Sequence, residues 1–498
     1  MRRLILNGRK LALYASLIAG SGFVWVDDCR ASAFAIAELG ARAAGMGTAF
    51  TAIADDGSAL FYNPAGIAFQ PGTKMQMDNL VVVGLFRFFP SSTPPGTTVP
   101  VKGYSQSVRP KFIPVASMYA TKQFSDKITF GFGVFTPFGL ADNSTNFNDS
   151  DPKGTKFVGR FAGTRARLES FWFQPTVAYK ISENSSLAIG VALVHTHLMI
   201  ETSILNPLDD ALTFGREAAG TIFPGIDKET AARSIARLLP EGRSRIAGTS
   251  KSPGFNAGYM YKHKGSKTNL GLMWRSAVTH HLKGKASFAF GKDYPLEKFV
   301  DKDLLDKAFP RQDIKGSLTT PATYAIGVAN SAIPNMTISV DFRILDFKRF
   351  ASVPVNFSIT EATNKDARTP AEQRLTFDFR NSYIFAVGAE RKLGERKGML
   401  GMLTKDMTIR AGYNFDYSPV VDKSVGPLFP DASRNGTSIG ATKKRGNKEF
   451  TLFYEYLNFQ DRTTNVPAND KVFTNGNYRN KAHLAGAGLR IHVGEPKK

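Results

Sequence analysis

The feature of this 498-residue chain that most restricts its fold is a repeated alternation of apolar and polar residues. The period recurs in segments 127–138, 169–181, 406–417 and 448–459. It is clearest between 336 and 344, where Met336, Ile338, Val340, Phe342 and Ile344 alternate with Thr337, Ser339, Asp341 and Arg343. A period of two with one apolar face is the pattern of a half-buried β-strand. The chain is therefore predicted to be all-β.

The lengths of the connections distinguish a β-sandwich from a transmembrane barrel. The gaps between predicted strands are alternately long and short, which places the long connections at one end. A sandwich has no reason for this arrangement, whereas a transmembrane barrel has short periplasmic turns and long extracellular loops. We expect an antiparallel barrel of about fourteen strands with apolar faces towards lipid. The fourteen strands are predicted at 75–88, 111–122, 127–138, 169–181, 186–202, 250–263, 268–291, 315–329, 336–348, 375–391, 406–417, 434–443, 448–459 and 481–493.

Composition excludes several other architectures. Hydrophobic residues make up 42% of the chain and the mean hydropathy is −0.18. Only residues 11–26 approach the roughly 18 consecutive apolar residues of a spanning helix, which excludes a polytopic helical transporter. Cys29 is the only cysteine, which excludes a disulfide scaffold and a Cys-rich zinc site. The net charge of +22 has two interpretations: basic residues meet an anionic lipid leaflet, or some of them steer carboxylates into the lumen.

Residues 1–33 have the order of a secretory signal peptide. A basic start precedes the apolar stretch 11–26 and the small-x-small site Ala31-Ser32-Ala33, as in signals that are cleaved after export. An uncleaved anchor is the alternative. Cleavage after Ala33 would begin the mature chain at Phe34.

Residues 34–74 show no alternation and are rich in small and turn-forming residues. About forty residues are too many for a tail and too few for a domain by the usual sizes of domains. We therefore expect a compact N-terminal hatch inside the lumen, followed by the barrel over residues 75–498. Within the hatch, Pro64 restricts Asn63 to an extended conformation, and the Asn63 side chain can bond nearby backbone. The motif Asn63-Pro64-Ala65 is thus predicted to form a rigid turn.

Two of the predicted long loops carry helical patterns. One runs from Asp227 to Pro240, and the other contains Leu296, Phe299, Val300 and Leu304. Apolar residues in each pattern fall on one stripe of a helix. The two helices either pack over the rim of the barrel or form an apolar surface that captures ligand outside the cell.

Several segments resemble the FadL/TodX family of outer-membrane transporters of hydrophobic compounds. The segment from Gly40 to Phe50, followed by Ala54-Asp55-Asp56 and by Phe61-Tyr62-Asn63-Pro64-Ala65-Gly66, resembles the hatch of that family. Val158-Gly159-Arg160-Phe161 is similar to part of its second long loop. The resemblance continues to Pro430-Asp431-Ala432-Ser433-Arg434, near the end of the chain.

The resemblance implies uptake of long-chain fatty acids, with aromatic hydrocarbons as the alternative substrate. In the family, ligand is caught outside, moves to an internal apolar site and leaves when the hatch end shifts. A lateral opening made by a kinked early strand is part of that mechanism. In this chain, strand 127–138 contains Gly131, Gly133 and Pro137, and Gly and Pro weaken ladder pairing. These three residues are candidates for the opening, although small residues can equally leave room for the hatch.

Candidate ligand-binding residues come from three places. Arg160 is the carboxylate partner that the resemblance implies, because a guanidinium binds a carboxylate with two parallel hydrogen bonds. Phe161 would line the same apolar site. Arg343 faces the lumen by alternation, and its alternative role is a lumen ion pair. The remaining candidates are Phe34, Ile36 and Leu39, at the end of the hatch that is expected to move.

Other functions have little support in the sequence. No Walker loop or His-Glu-x-x-His motif is present, and no nucleophile elbow, enzymatic activity or cofactor is expected. His195 and His197 share one face of a strand, and an interfacial role is favoured over metal binding. A lipid-modifying enzyme and a general porin remain alternatives, although a hatch would block free diffusion. The expected partners are a hydrophobic small molecule and outer-membrane lipids including lipopolysaccharide. Binding of nucleic acid is not expected. The protein is expected to be a monomer.

Overall fold

The computed structural model describes residues 34–91, 106–107, 113–140, 162–204, 242–290, 302–394, 404–426, 428–466 and 474–494. Within these residues, twenty strands form one antiparallel sheet. The strands are β1 (Thr73–Pro90), β2 (Gln106–Ser107), β3 (Ile113–Gln123), β4 (Ile128–Leu140), β5 (Arg165–Lys180), β6 (Ser185–Ile204), β7 (Gly242–His263), β8 (Thr268–Arg275), β9 (Val278–Phe290), β10 (Gln312–Thr320), β11 (Thr323–Asn330), β12 (Met336–Leu345), β13 (Ser352–Phe357), β14 (Glu372–Thr376), β15 (Ser382–Lys392), β16 (Met407–Tyr417), β17 (Arg434–Arg445), β18 (Lys448–Phe459), β19 (Arg462–Thr464) and β20 (Gly476–Gly494).

The sheet closes on itself. Strand β1 pairs with β3 on one side and with β20, the last strand, on the other. Around the barrel there are fourteen wall positions, and several of them, such as those of β8 with β9, β10 with β11, β12 with β13 and β14 with β15, are shared by two shorter strands. Because closure satisfies the backbone hydrogen bonds of both outer strands, the sheet can lie in lipid without an exposed edge. The predicted antiparallel barrel of fourteen strands is confirmed.

Some predicted strand boundaries are wrong. The segment 268–291 is divided into β8 and β9 at Ser276, whose hydroxyl accepts a hydrogen bond from the backbone N–H of Phe255 at 3.0 Å. The segment 315–329 is divided into β10 and β11 at Pro321, which has no N–H for the ladder. The predicted loop 349–374 contains strand β13 and the start of β14, which pair as a hairpin. Alternation alone does not reveal such interruptions, because a bulge or proline leaves the side-chain pattern on either side unchanged.

The two faces of the wall differ as the alternation predicts. On β12, Val340 and Phe342 point outward and are each 40% exposed, whereas Ser339, Asp341 and Arg343 point into the lumen and are buried. An apolar outer surface and a polar interior are the features of a transmembrane barrel. None of the helices among the described residues is both long and apolar enough to cross a bilayer.

Residues 34–72 lie inside the barrel, and we call them the hatch. They contain two short helices, α1 (Ala41–Ala44) and α2 (Ala59–Tyr62), and a 3-10 helix over Pro64–Phe69. Nearly all of their side chains are buried. The hatch backbone lies directly on the wall at Gly412, where an added Cβ would overlap the backbone of Met46 and Gly47. Only glycine permits so close an approach of two backbones.

Little of the predicted loop and leader structure falls on described residues. A third helix, α3 (Lys302–Ala308), includes Leu304 from the second helical pattern. The other residues of that pattern and the whole Asp227–Pro240 pattern lie outside the described residues. The predicted signal peptide, residues 1–33, also lies outside them.

Candidate functional site

The Asn63-Pro64-Ala65 turn attaches the hatch to the wall. Asn63 has extended backbone angles, and Pro64 begins the 3-10 helix. The backbone N–H of Ala65 donates to Asn63 Oδ1 at 3.2 Å. Asn63 Nδ2 donates to the carbonyl of Thr51 in the hatch and to that of Tyr259 in β7, both at 3.0 Å. One amide side chain thus orders the turn and links it to the barrel.

Charged side chains hold the lower part of the hatch, near the short turns. Arg42 forms ion pairs with Asp55 in the hatch and with Glu390 in β15, the latter at 2.6 Å. Arg410 also pairs with Glu390, at 3.0 Å. Burial alone would lower the pKa of Arg42, but the carboxylates of Asp55 and Glu390 raise that pKa well above its usual value. Arg42 therefore stays charged and keeps the hatch on the wall.

The first residues of the hatch extend away from this anchor towards the long loops. The backbone N–H of Gly139 donates to the Phe34 carbonyl at 2.7 Å, and Ile36 donates to the Pro137 carbonyl at 2.9 Å. Farther along, Leu39 is 2% exposed and belongs to the main apolar core of the hatch. We call residues 34–39 the N-terminal segment. Its tip is held by the backbone of β4.

Strand β4 is irregular where the N-terminal segment binds it. Its ladder with β3 ends at the pair Met118–Val134, and β3 residues 113–117 are paired only with β1. On the other side, the register of β4 against β5 shifts between Phe135 and Phe138. The described wall therefore has a gap in pairing between 113–117 and 135–140, which we call the wall break. The N-terminal segment donates and accepts hydrogen bonds at this break.

The three residues predicted for a lateral opening lie at different distances from the wall break. Pro137 is within it, in the stretch where the register shifts. Gly131 and Gly133 are in the regular part of β4, which is paired with both β3 and β5. A Cβ on Gly131 would meet the Leu60 side chain of the hatch at 2.5 Å. Gly131 therefore leaves room for the hatch, whereas a Cβ on Gly133 would meet the wall side chains of Phe135 and Tyr119.

Above the hatch, phenylalanine rings enclose Phe34, which is completely buried. The centroid of its ring lies 4.7 Å from that of Phe350 and 5.1 Å from that of Phe347, on the segment after β12. Further rings come from the segments before β15 and before β17, so that three connections contribute to one group of rings. We call this group the aromatic cluster; it consists of Phe34, Phe138, Phe347, Phe350, Phe377, Phe379 and Phe429.

A cavity lies between the N-terminal segment, the hatch and the wall, and two arginines line it. Arg343 is 4% exposed, and its Nη2 donates to the carbonyl and to the hydroxyl of Thr48, the latter at 2.7 Å. Arg275 is 1% exposed, and its Nη2 donates to the Phe61 carbonyl at 2.6 Å. The lumen position of Arg343 agrees with the sequence prediction. Arg275 was not predicted, although it follows Gly271 and Met273 on the inward side of β8.

Two predicted ligand contacts, Arg160 and Phe161, lie outside the described residues. The chain is described again from Ala162. A Cβ built on Gly163 would overlap the side chain of Leu428. Leu428 packs against the apolar core that contains the aromatic cluster.

Among the described residues, the carboxylate and the serine that could suggest a hydrolytic site both have structural roles. Asp56 Oδ1 accepts hydrogen bonds from the N–H and hydroxyl of Ser58 at 2.9 and 2.6 Å, as a turn residue does. Residues 436–440 match the Gly-x-Ser-x-Gly pattern, contrary to the expectation that the chain has no such motif. They lie inside β17 rather than on a strand-to-helix turn, and the Ser438 hydroxyl accepts a hydrogen bond from Gly47. That serine is an anchor of the hatch.

The two histidines considered as metal ligands are on the outer face. His195 and His197 alternate with the buried residues Val194, Thr196 and Leu198 on β6. His197 Nδ1 lies 3.8 Å from a carboxylate oxygen of Glu169 on β5. This arrangement agrees with the interfacial position that the sequence indicates.

Comparison with known proteins gives one family for almost the whole chain. Residues 24–492 match the family described as outer membrane protein transport protein (OMPP1/FadL/TodX). Outer membrane protein P1 of Haemophilus influenzae is 22% identical over 96% of this chain and 98% of its own length. A putative outer membrane protein of Neisseria meningitidis is 23% identical over 94% of this chain and 96% of its own length.

Solved structures share the fold. The crystal structure of a Pseudomonas aeruginosa FadL homologue aligns with a TM-score of 0.70 and 16% identity, over 93% of this chain and 100% of that one. The P. putida toluene transporter TodX aligns with a TM-score of 0.62 and 16% identity, over 91% of this chain and 98% of that one.

Proposed function

Because this chain belongs to the outer membrane protein transport family that includes FadL and TodX, we propose that it takes up long-chain fatty acids across the outer membrane. Its location is the outer membrane, and its family consists of transporters of hydrophobic compounds. We infer the substrate, a long-chain fatty acid, from the way in which the aromatic cluster is joined to the wall break. Uptake of aromatic hydrocarbons is the second candidate, and the toluene transporter TodX among the structural neighbours favours it.

The observation that carries the proposal is the position of Phe34. Its ring fills the middle of the aromatic cluster, and its carbonyl is bonded to Gly139 of β4. Burying a phenylalanine ring contributes about 1.5–3 kcal/mol. A second apolar group in the same space would recover a similar free energy. We infer that ligand binds by replacing the Phe34 ring in the aromatic cluster.

Displacement of Phe34 would also change the wall. The residue next but one, Ile36, donates to the Pro137 carbonyl inside the wall break. Removing the ring from the cluster pulls on this short pairing, which covers backbone groups that β3 does not reach. Ligand entry is thereby coupled to opening of the N-terminal segment at the wall break. The uncovered gap between β3 and β4 is our proposed exit, with Pro137 at its centre.

The rest of the hatch is held too firmly to move as a unit. Asn63, Arg42 and Asp341 each bind it to a different wall strand through buried polar contacts. Breaking several such contacts together would leave polar groups buried without partners, at about 1–3 kcal/mol each. The N-terminal segment has fewer contacts of this kind. We therefore assign the moving part to residues 34–39 and the fixed part to the remainder of the hatch.

The proposal keeps the division of the chain into a signal peptide (1–33), a hatch (34–74) and a barrel (75–498). Capture of ligand at the long loops, contact with outer-membrane lipids and lipopolysaccharide, and a monomeric state also belong to it. The ladder between β1 and β20, which pairs the first strand with the last and closes the described sheet, supports the monomer. We assign the protein no enzymatic role.

Deleting residues 34–40 tests the proposed gate. Cells that produce this variant should lose most uptake of oleate, because ligand binding no longer changes the wall break. The barrel should still fold, since its closure depends on β1 and β20. Uptake of radiolabelled oleate would be measured at equal amounts of folded protein in the outer membrane. Uptake equal to that of the parent would show that the N-terminal segment is not the gate.

A matched control separates the gate from the apolar site. Phe377 belongs to the aromatic cluster, but its ring contacts are with Phe350, Phe379 and Phe429 rather than with Phe34. Phe377→Ala should weaken oleate binding and leave the coupling intact, so that uptake recovers at high oleate concentration. The deletion variant should not recover under these conditions.

A further inference from the structure

The outer face of the wall changes from apolar to basic part-way along five strands. On β6, the exposed outward residues from Leu187 to Leu193 are aliphatic, and the next two outward residues towards the long loops are His195 and His197. On β7, Lys251 lies opposite His195 in the ladder and also points outward. The apolar band of a transmembrane barrel is about 25 Å tall and lies in the hydrocarbon of the bilayer. Side chains just beyond this band, on the side of the long loops, therefore lie at the level of the lipid head groups of the outer leaflet.

Basic residues outnumber acidic residues at this level. The strands β5, β6, β7, β9 and β10 are neighbours in the wall, in that order. Beyond the apolar band, eight of their outward residues are lysine or arginine and three are acidic. Because Leu282 and Ile314 point into the lumen core, the residues beside them on β9 and β10 face outward. We call the eight basic residues the basic patch; it consists of Arg165, Arg167, Arg243, Arg245, Lys251, Lys283, Lys285 and Lys315.

The three acidic residues at this level each already have a basic partner. Glu201 lies between Arg165 and Arg243, with nitrogen–oxygen distances of 3.6 and 3.4 Å. The other two pairs, both with a nitrogen–oxygen distance of 2.8 Å, are Arg167–Glu169 and Lys285–Asp313. The acidic residues therefore neutralise only part of the basic patch.

The lysines in the middle of the basic patch are close together and lack an acidic partner. Lys283 and Lys315 are directly opposed in the ladder of β9 and β10, a position in which Cβ atoms lie about 4.5–5.5 Å apart. Lys251 is the diagonal neighbour of Lys283, because Thr249 lies opposite Lys283. No residue in the described part of the chain forms an ion pair with any of these three lysines. Like charges directly opposed across a ladder are destabilising, so an anion from outside the protein would stabilise this arrangement.

The surroundings of the three lysines suit the phosphate group of a lipid. A lysine ammonium binds phosphate as a compact point charge, and it needs no planar fork to do so. Directly below the basic patch, Phe173 and Leu193 are exposed on the outer face of the apolar band. A lipid can place its phosphate among the lysines and its acyl chains along this apolar surface. A small soluble anion would use only the first of these two surfaces.

We propose that the basic patch binds the phosphate groups of a lipid of the outer leaflet, with Lys251, Lys283 and Lys315 as its central contacts. Lipopolysaccharide is a lipid of this class. The inference rests on the outer-membrane location and deepens the lipid contact included in the proposed function, to which it assigns a place on β5, β6, β7, β9 and β10. It does not depend on which compound the barrel transports.

The test measures binding of two lipids to purified, folded protein in a neutral detergent: lipid A with two phosphate groups, and lipid A from which both phosphates have been removed. Lys283→Gln combined with Lys315→Gln should weaken binding of the phosphorylated lipid by about thirtyfold, since each basic residue at an anionic lipid surface contributes a factor of about five. Binding of the dephosphorylated lipid should be the same for this variant and the parent, because the apolar band is unchanged. Lys283→Arg combined with Lys315→Arg should retain binding of the phosphorylated lipid, since the charge remains.

Lys264→Gln combined with Lys448→Gln is the matched control, because it removes the same charge from two exposed lysines at the short turns. It should leave both affinities unchanged. Equal losses for the two lipids in the Lys283 and Lys315 glutamine variant would overturn the inference, as would no loss for either. Faster migration of the unheated variants on an SDS gel verifies that each barrel is folded.

An inorganic phosphate competitor distinguishes a lipid from a free anion. At matched ionic strength, an excess of inorganic phosphate should not displace phosphorylated lipid A, because the free anion gains nothing from the apolar surface. Displacement would show that the basic patch binds the anion alone and would overturn the assignment to a lipid.

Failure of the proposed uptake has a different signature. Parent protein that binds phosphorylated lipid A but does not take up oleate would contradict the proposed substrate and leave this inference standing. Parent protein that takes up oleate but binds the two forms of lipid A equally would contradict this inference alone.

Discussion

At the scale of single residues, the lumen contains two kinds of arginine. Arg42, Arg410 and Arg434 each lie within 3.0 Å of a carboxylate oxygen and hold the structure together. Arg275 is bound by a carbonyl and aromatic rings instead. Alternation on a strand predicts which arginines point inward, but it does not reveal which of them have an acidic partner, since that partner comes from a distant segment.

Arg160 remains a prediction of the sequence, and it can be tested by a comparison of charged and uncharged ligands. If Arg160 contacts a carboxylate near the long loops, Arg160→Ala should weaken oleate binding by about tenfold to a hundredfold. Toluene binding should hardly change, because a neutral hydrocarbon does not need a cation. Arg160→Lys should restore part of the loss.

Equal losses for oleate and toluene would show Arg160 to be structural. If Arg160→Ala weakens binding of neither ligand, the carboxylate contact lies elsewhere. Binding constants of both ligands for the three proteins, measured on folded barrel, distinguish these outcomes.

At the scale of elements, the hairpin of β3 and β4 is regularly paired at one end and unpaired at the other. Near the short turns they form a regular ladder from Gln123–Thr129 to Met118–Val134. Beyond that ladder each keeps only one neighbour, and the register of β4 shifts against β5. A bulge bends the strand that contains it and ends the local pairing. The hairpin is therefore rigid at one end and open at the other, which suits a gate.

A disulfide across the wall break should block transport. The pair Ala116→Cys and Thr136→Cys would continue the register of the ladder by two residues beyond Met118–Val134. Its oxidation requires β3 and β4 to close up, because opposed residues must approach to about 4.4–6.8 Å between Cα atoms. Oleate uptake should fall on oxidation and return on reduction. Uptake that is unaffected by a fully formed disulfide would rule out an exit between these strands.

The control disulfide belongs in the regular part of the same hairpin. Ala120 and Phe132 are directly opposed in the ladder. Ala120→Cys with Phe132→Cys cross-links strands that are already paired, so oxidation should leave uptake unchanged.

At the scale of the whole molecule, stability comes from closure and from filling of the lumen. The long ladder between β1 and β20 removes both edges of the sheet. The hatch then occupies the interior, where wall side chains such as Asp341, Ser438 and Gln174 bind its backbone. Polar side chains of the lumen and backbone groups of the hatch thus satisfy each other's hydrogen bonds.

The protein should accordingly behave as a heat-modifiable outer-membrane barrel. Unheated samples should migrate faster on an SDS gel than boiled samples, because the closed ladder resists the detergent until heat opens it. Circular dichroism of the unheated form should be dominated by β-sheet. A mainly helical spectrum in detergent would contradict the fold.

The sequence by itself determined the class of fold. Side chains on a strand alternate between two faces, so lipid outside and polar groups inside leave a period of two that can be read directly. Loop lengths favoured a transmembrane barrel over a sandwich. The small, turn-rich residues of the hatch and the motif at Asn63 were also visible, because a crowded interior restricts residue size and backbone angles locally.

Only the tertiary structure decided how these parts meet. The wall break depends on where three strands stop pairing, which is a property of their mutual register and leaves the alternation of β4 unchanged. The aromatic cluster around Phe34 depends on rings from three connections far apart in the chain. That no described residue forms an ion pair with Arg275 depends on which acidic groups the fold brings near it. Each is a long-range contact, and a pattern of neighbours along the chain contains no information about distances across the lumen.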